Sequence, residues 1–172
     1  GMSVGCCGHE QANGVGIKRS NITGKNECWY VVQAEPGAKI VYGHTAMTPE
    51  EFAEKIDNEA WSELFTEVPV KAGDFFDVPS GTIHAIGGGI VILETQQNSD
   101  TTYRVYDYNR TDDAGNPRPL HIQQTKDVTT IPHSVPTTNQ HVVTTDNGTR
   151  TTFVENKFFT VWKYDINGDY SD

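Results

Sequence analysis

Between residues 67 and 108 the chain is broken every few residues, and this limits most strongly what it can fold into. Glu67 to Val70, Asp74 to Val78, Ile83 to Ile86, Ile90 to Glu94 and Thr101 to Tyr108 are rich in β-branched and aromatic residues. They are separated at Gly73, at Pro79-Ser80-Gly81 and at Gly87-Gly88-Gly89. Such runs have strand length, and Gly and Pro supply the backbone conformations that tight turns require. Upstream, Cys28 to Gln33 and Lys39 to Tyr42 flank Glu35-Pro36-Gly37 and predict a hairpin. One clear helix interrupts the pattern: Thr48 caps it, Pro49 takes its first position and Glu51 supplies the carboxylate of a capping box. Phe52 and Ile56 follow, then a short turn through Trp61 and Leu64. The expectation is a mainly β fold, a β-sandwich or jelly roll with a small helical insert.

The flanks read differently. Residues 1–23 form a Gly- and Asn-rich segment without period and are expected to be an N-terminal arm, with order beginning near Glu27; 24–131 are expected to form the core domain. Within it, 111–120 are a turn-rich link and 121–131 a second short helix. Residues 132–172 are expected to be an extended linker and a partial second β-unit, with the Thr-rich stretch to Arg150 crossing between layers. Phe158, Thr160, Trp162, Tyr164 and Ile166 alternate as one strand face ahead of the turn signal Asn167-Gly168. No partner strand follows, so that face is expected to be covered by the first domain or by another subunit, which suggests a homodimer.

Charge narrows the partners. Lys and Arg number 13 against 23 Asp and Glu, a formal charge of −10. An acidic chain without a cationic stripe does not suit nucleic acid or anionic lipid, leaving a small molecule or a protein. No stretch approaches the roughly 20 apolar residues of a membrane span, and no signal segment is recognisable, so a cytoplasmic location is expected. Cys6, Cys7 and Cys28 are an odd set, which argues against a disulfide framework.

The most informative segment is Gly73-Asp-Phe-Phe-Asp-Val-Pro79-Ser80-Gly81-Thr-Ile-His84. The turn returns the chain into a strand whose rigid neighbours can hold an imidazole at a metal; a lone strand histidine is otherwise a hydrogen-bonded core or surface residue. The spacing resembles a motif of the cupin superfamily, whose histidine is a metal ligand. Three blocks narrow the resemblance: Gly24-Lys-Asn-Glu-Cys-Trp-Tyr30, Val78-Pro-Ser-Gly-Thr-Ile-His-Ala85 and Leu93 to Tyr108 (LETQQNSDTTYRVYDY). In that order they resemble the type I mannose-6-phosphate isomerases in their short bacterial form, densely over residues 24–131 and loosely over 132–170. The resemblance implies a cupin-type jelly roll, here lacking segments at both ends.

It also implies a zinc ion, one per chain, held by a Gln-x-His pair, a Glu and a His. Glu27 and His84 match the last two. The family's Gln-x-His-Pro segment lies sixteen residues before its lysine, and counting back from Lys25 reaches His9, with Cys7 in the glutamine position and Glu10 in the proline position. Thiolate, imidazole and carboxylate all suit zinc; His9 is otherwise a terminal residue in a Gly-rich arm. Arg104 matches the family's catalytic arginine, with a fork of donors suited to an enediolate or phosphate. Lys25 matches a lysine beside the zinc Glu, and Glu94 an acid of the same pocket and one candidate proton carrier. The resemblance leaves the general base open, and His44 reads as structural.

The implied reaction interconverts mannose 6-phosphate and fructose 6-phosphate through a cis-enediol. Lys25, Arg104 and Arg110 would then have to focus positive potential within an acidic molecule. The other reading is a catalytically inactive cupin fragment that binds metal or sugar without turnover. A metal-dependent cupin oxygenase ranks third, because such sites use more histidines.

Overall fold

The structure, a computed structural model, describes residues 3–7 and 15–18 as backbone, and residues 25–97 and 102–167. In chain order the elements are β1 (Ser3–Cys7), β2 (Val15–Lys18), β3 (Glu27–Ala34), β4 (Lys39–His44), α1 (Pro49–Asp57), α2 (Trp61–Leu64), β5 (Phe65–Pro69) and β6 (Phe75–Val78). There follow β7 (His84–Ile86), β8 (Ile90–Gln96), β9 (Thr102–Tyr106), α3 (Ile122–Val128), β10 (His141–Thr145), β11 (Gly148–Glu155) and β12 (Thr160–Ile166). Two compact units result, Gly1–Val135 and Pro136–Asp172.

The first unit is built on two antiparallel sheets, ordered β1-β8-β3-β6 and β5-β4-β7-β2-β9. Alternation decides what each strand buries. Trp29 and Val31 of β3, Val78 of β6 and Ile92 of β8 pack with Ile40 and Tyr42 of β4 in one core between the sheets. The odd-parity neighbours of the second sheet, Val41, Ala85 and Val105, face outward and build another core with Phe52 and Ile56 of α1 and Leu64 of α2. Helices therefore cover one sheet's outer face, and the molecule is mainly β with a helical insert, as the turn pattern predicts.

The helix start follows its sequence signals. Glu51 N–H donates to Thr48 Oγ1 at 3.2 Å, while Glu51 Oε2 accepts from Met47 N–H at 2.9 Å. Phe52 and Ile56, one turn apart, are the buried side chains of α1.

Two expectations need correction. The Glu35-Pro36-Gly37 turn forms, with Ala38 N–H donating to Glu35 O at 3.0 Å, but β3 and β4 are not a hairpin and lie in different sheets. Both strands carry an inward apolar row, and placing the rows face to face buries them against each other. The turns after β6 and β7 and the link after β8 likewise cross between sheets. Further upstream, two stretches expected within a loose arm are strands: β1 pairs with β8, and β2 bridges β7 and β9. Their signal is weak because their partners, not their own apolar content, select the extended backbone.

The second unit is a three-stranded antiparallel sheet, β10-β11-β12. Its first turn falls at Asp146-Asn147, with Thr145 opposite Gly148, inside the stretch expected to be an extended crossing; the Asn-Gly pair there is itself a hairpin signal. Trp162, Tyr164 and Ile166 are exposed on β12. Gly168 lies outside the described residues.

Candidate functional site

Glu27 begins β3 and pairs with Val78, the last residue of β6. The chain then crosses at Pro79-Ser80-Gly81 to the other sheet, where His84 begins β7. The crossing brings the two side chains together: His84 Nε2 lies 3.0 Å from Glu27 Oε1, with the side chains 9% and 1% exposed. Asn26 secures the crossing, accepting from Ser80 N–H through Oδ1 at 3.2 Å and donating from Nδ2 to Gln97 Oε1 at 2.8 Å. Gly81, with φ +88°, takes a conformation that side chains resist.

The imidazole is aimed as well as placed. His84 Nδ1 donates to Thr82 O at 2.8 Å, so in the neutral ring Nε2 carries a lone pair. Trp29 packs edge-on against the ring with centroids 5.3 Å apart. Trp29 stands two residues after Glu27 in β3, and the two-residue alternation of a strand puts both on one face.

An imidazole nitrogen and a carboxylate oxygen 3.0 Å apart share either a proton or a metal cation. Lys25 Nζ lies 3.6 Å from Glu27 Oε2 and 3.9 Å from Glu94 Oε1. Lys25, Glu27 and Glu94 are all buried. Two ligands about 2 Å from one ion can be at most about 4 Å apart, so the His84–Glu27 geometry fits a shared divalent cation. Among the described residues no group of three or more His, Cys, Asp or Glu gathers.

The remaining expected residues fall as follows. Arg104 on β9 and His84 both pair with Gly16 of β2, which sets them in one row on the inner face, two strands apart. A bulge follows at Val105, turning both Val105 and Tyr106 toward the helical core and leaving Arg104 inward. Cys7 ends β1 opposite Ile92, and its side chain is outside the described residues, as is all of His9. Cys28 is buried with its thiol pushed up to about 12 by burial and the nearby Asp77, so it is an inert core residue. His44 sits beneath α1 against Phe52, ring centroids 4.9 Å apart, and burial holds it below the usual histidine range.

Two facing antiparallel sheets with a buried histidine and carboxylate at one crossing define a cupin-type sandwich. No family model matches the chain. The mannose-6-phosphate isomerase of Streptococcus mutans is 52% identical over 157 residues, covering 91% of this chain and 49% of that protein. ManA of Bacillus subtilis, also a mannose-6-phosphate isomerase, is 45% identical over 155 residues, covering 90% of this chain and 49% of that one. The crystal structure of the Bacillus subtilis mannose 6-phosphate isomerase superposes with a TM-score of 0.89 at 39% identity, covering 92% of this chain and 54% of that one. The chain belongs to the mannose-6-phosphate isomerase family, and it spans about half the length of the curated relatives it matches.

Proposed function

We propose that this chain carries the metal- and sugar-binding half of a zinc-dependent mannose-6-phosphate isomerase. The observation that supports it is the apposition of His84 Nε2 and Glu27 Oε1 from opposite sheets. These two residues would hold the ion, with Cys7 and His9 as the remaining proposed ligands. Bound zinc would polarise the sugar carbonyl and favour the negative charge that develops when a proton moves between C1 and C2.

The chain's own residues would do the rest. Lys25, set between the carboxylates of Glu27 and Glu94, would offer donors to sugar hydroxyls. Glu94 has a carboxylate on the same inner face and is the candidate to carry the proton. Arg104, in the row of His84, would bind the enediolate or the phosphate, supplying the local positive charge that a −10 molecule otherwise lacks. Burial of the group excludes water, which strengthens each of these interactions.

A second reading, that the chain binds metal or sugar without turnover, uses the same His84 and Glu27 pair. The exposed apolar face of β12 would then serve a homodimer. Metal content of dialysed protein beside a coupled assay for fructose 6-phosphate separates the two. One zinc per chain with turnover supports the isomerase, and one zinc without turnover supports the binding fragment. Protein that takes up no zinc excludes both.

A further inference from the structure

The residues after α3 form a strap across the crossing that carries His84, and His44 fastens it. Thr130 O accepts from His44 Nε2 at 2.8 Å. The same residue's N–H donates to Gly81 O at 3.0 Å, and Gly43 N–H donates to Ile83 O at 2.7 Å. Ile83 immediately precedes His84, whose ring is aimed by the carbonyl of Thr82. Every residue from Gly81 to His84 is therefore held by a bond to the strap, by one to β4, or by a neighbour so held.

The two glycines involved are shaped for this contact. Gly43 and Gly81 have φ of +91° and +88°. A methyl group on Gly43 would fall on the His133 ring, and one on Gly81 would meet Thr130 Oγ1 and Val128 O. Both left-handed positions seat the segment from Val128 to His133. His133 packs edge-on against Tyr42 with centroids 5.3 Å apart and lies 6.3 Å from the His44 ring.

We propose that His44 is a positioning residue for the site: by donating to Thr130 it pins the strap, and the strap fixes the turn that sets the rotamer and tautomer of His84. This rests on the reading of His84 as a metal ligand only for its functional consequence. Direct hydrogen-bond partners of a metal-ligating histidine, here the Thr82 carbonyl, typically tune metal affinity by roughly 10- to 100-fold, and His44 acts through that carbonyl, so the lower end applies.

Two substitutions separate the hydrogen bond from the packing. His44→Phe keeps a ring against Phe52 and loses the donor; His44→Gln loses the ring and keeps an N–H that reaches Thr130 O. The metal-free protein is compared first, by nitrogen-15 and proton NMR of the His84 ring, which reports its tautomer directly. Zinc affinity is then measured by competition with a chelator. The expected result is a mixed His84 tautomer and about tenfold weaker zinc binding in His44→Phe, with both restored in His44→Gln. An Ile56→Val variant, which loosens the helical core packed by Val128 and Ile131 but keeps the His44 donor, should change neither. An unchanged His84 tautomer in His44→Phe overturns the proposal, as does a disturbed one in His44→Gln. Should His44→Phe fail to fold, His44→Asn, whose shorter side chain leaves Thr130 O without its donor, takes its place with the same two outcomes. A wild-type chain that binds no zinc sinks the metal reading instead, while the ring measurement still decides the positioning role.

Discussion

His84 and Glu27 are placed 3.0 Å apart by a crossing between two sheets, one side chain supplied from each. A pair so arranged depends on the sheets keeping their separation. Its chemistry is thus tied to the packing of Trp29, Val78 and Tyr42 in the core between them.

Removing either proposed ligand should remove the metal. His84→Ala and Glu27→Gln are each expected to take the zinc content of dialysed protein from one per chain to near none, measured by atomic emission. Retention of a full equivalent in either variant would show that the ion sits elsewhere.

Lys25 separates two buried carboxylates, so Lys25→Met leaves Glu27 and Glu94 facing each other without it. Breaking a buried charge group by removing one member typically costs about 3 to 5 kcal/mol. Urea unfolding of the metal-free variant should show a loss of that order. Added zinc should recover part of it by binding the folded state. A loss below about 1 kcal/mol would mean that the two carboxylates do not depend on the ammonium.

Acidification should weaken the first unit. Burial holds His44 and His133 below the usual histidine range, with the neighbouring His44 adding to the shift at His133, and the Thr130 carbonyl and then Glu51 opposing it at His44. The unfolded chain therefore binds more protons, so stability rises with pH. It is fully present above the unfolded value of about 6.5 and is lost as pH falls through the folded values. The lowered Glu51 and Asp74 act only below the ordinary carboxylate range. Urea midpoints should be lower at pH 5.5 than at 7.5, and the difference should shrink in a His44→Gln, His133→Asn double variant. Equal midpoints in the wild type would contradict this.

Gly43→Ala meets two penalties together, a left-handed backbone of about 1 to 2 kcal/mol and overpacking against the His133 ring of about 1 to 3 kcal/mol. A stability loss of roughly 2 to 5 kcal/mol is expected by thermal unfolding. A neutral substitution would mean that His133 leaves its seat freely.

Much of this was legible in the chain. Pro49 behind Thr48 sets the start of α1, and the Pro79-Ser80-Gly81 turn with its following histidine marks the candidate site. These signals are local: a cap, a forced turn and a two-residue alternation act within a few positions, so the residues themselves declare them. What the tertiary structure alone decided is which sheet each strand joins. Glu35-Pro36-Gly37 has the same turn chemistry whether its strands pair side by side or arch from one sheet to the other, and only burial of both inward rows selects the arch. The same choice at Pro79 lays His84 over Glu27. The strap that binds His44 to Thr130 is equally silent in sequence, because backbone carbonyls and amides carry no side-chain signature.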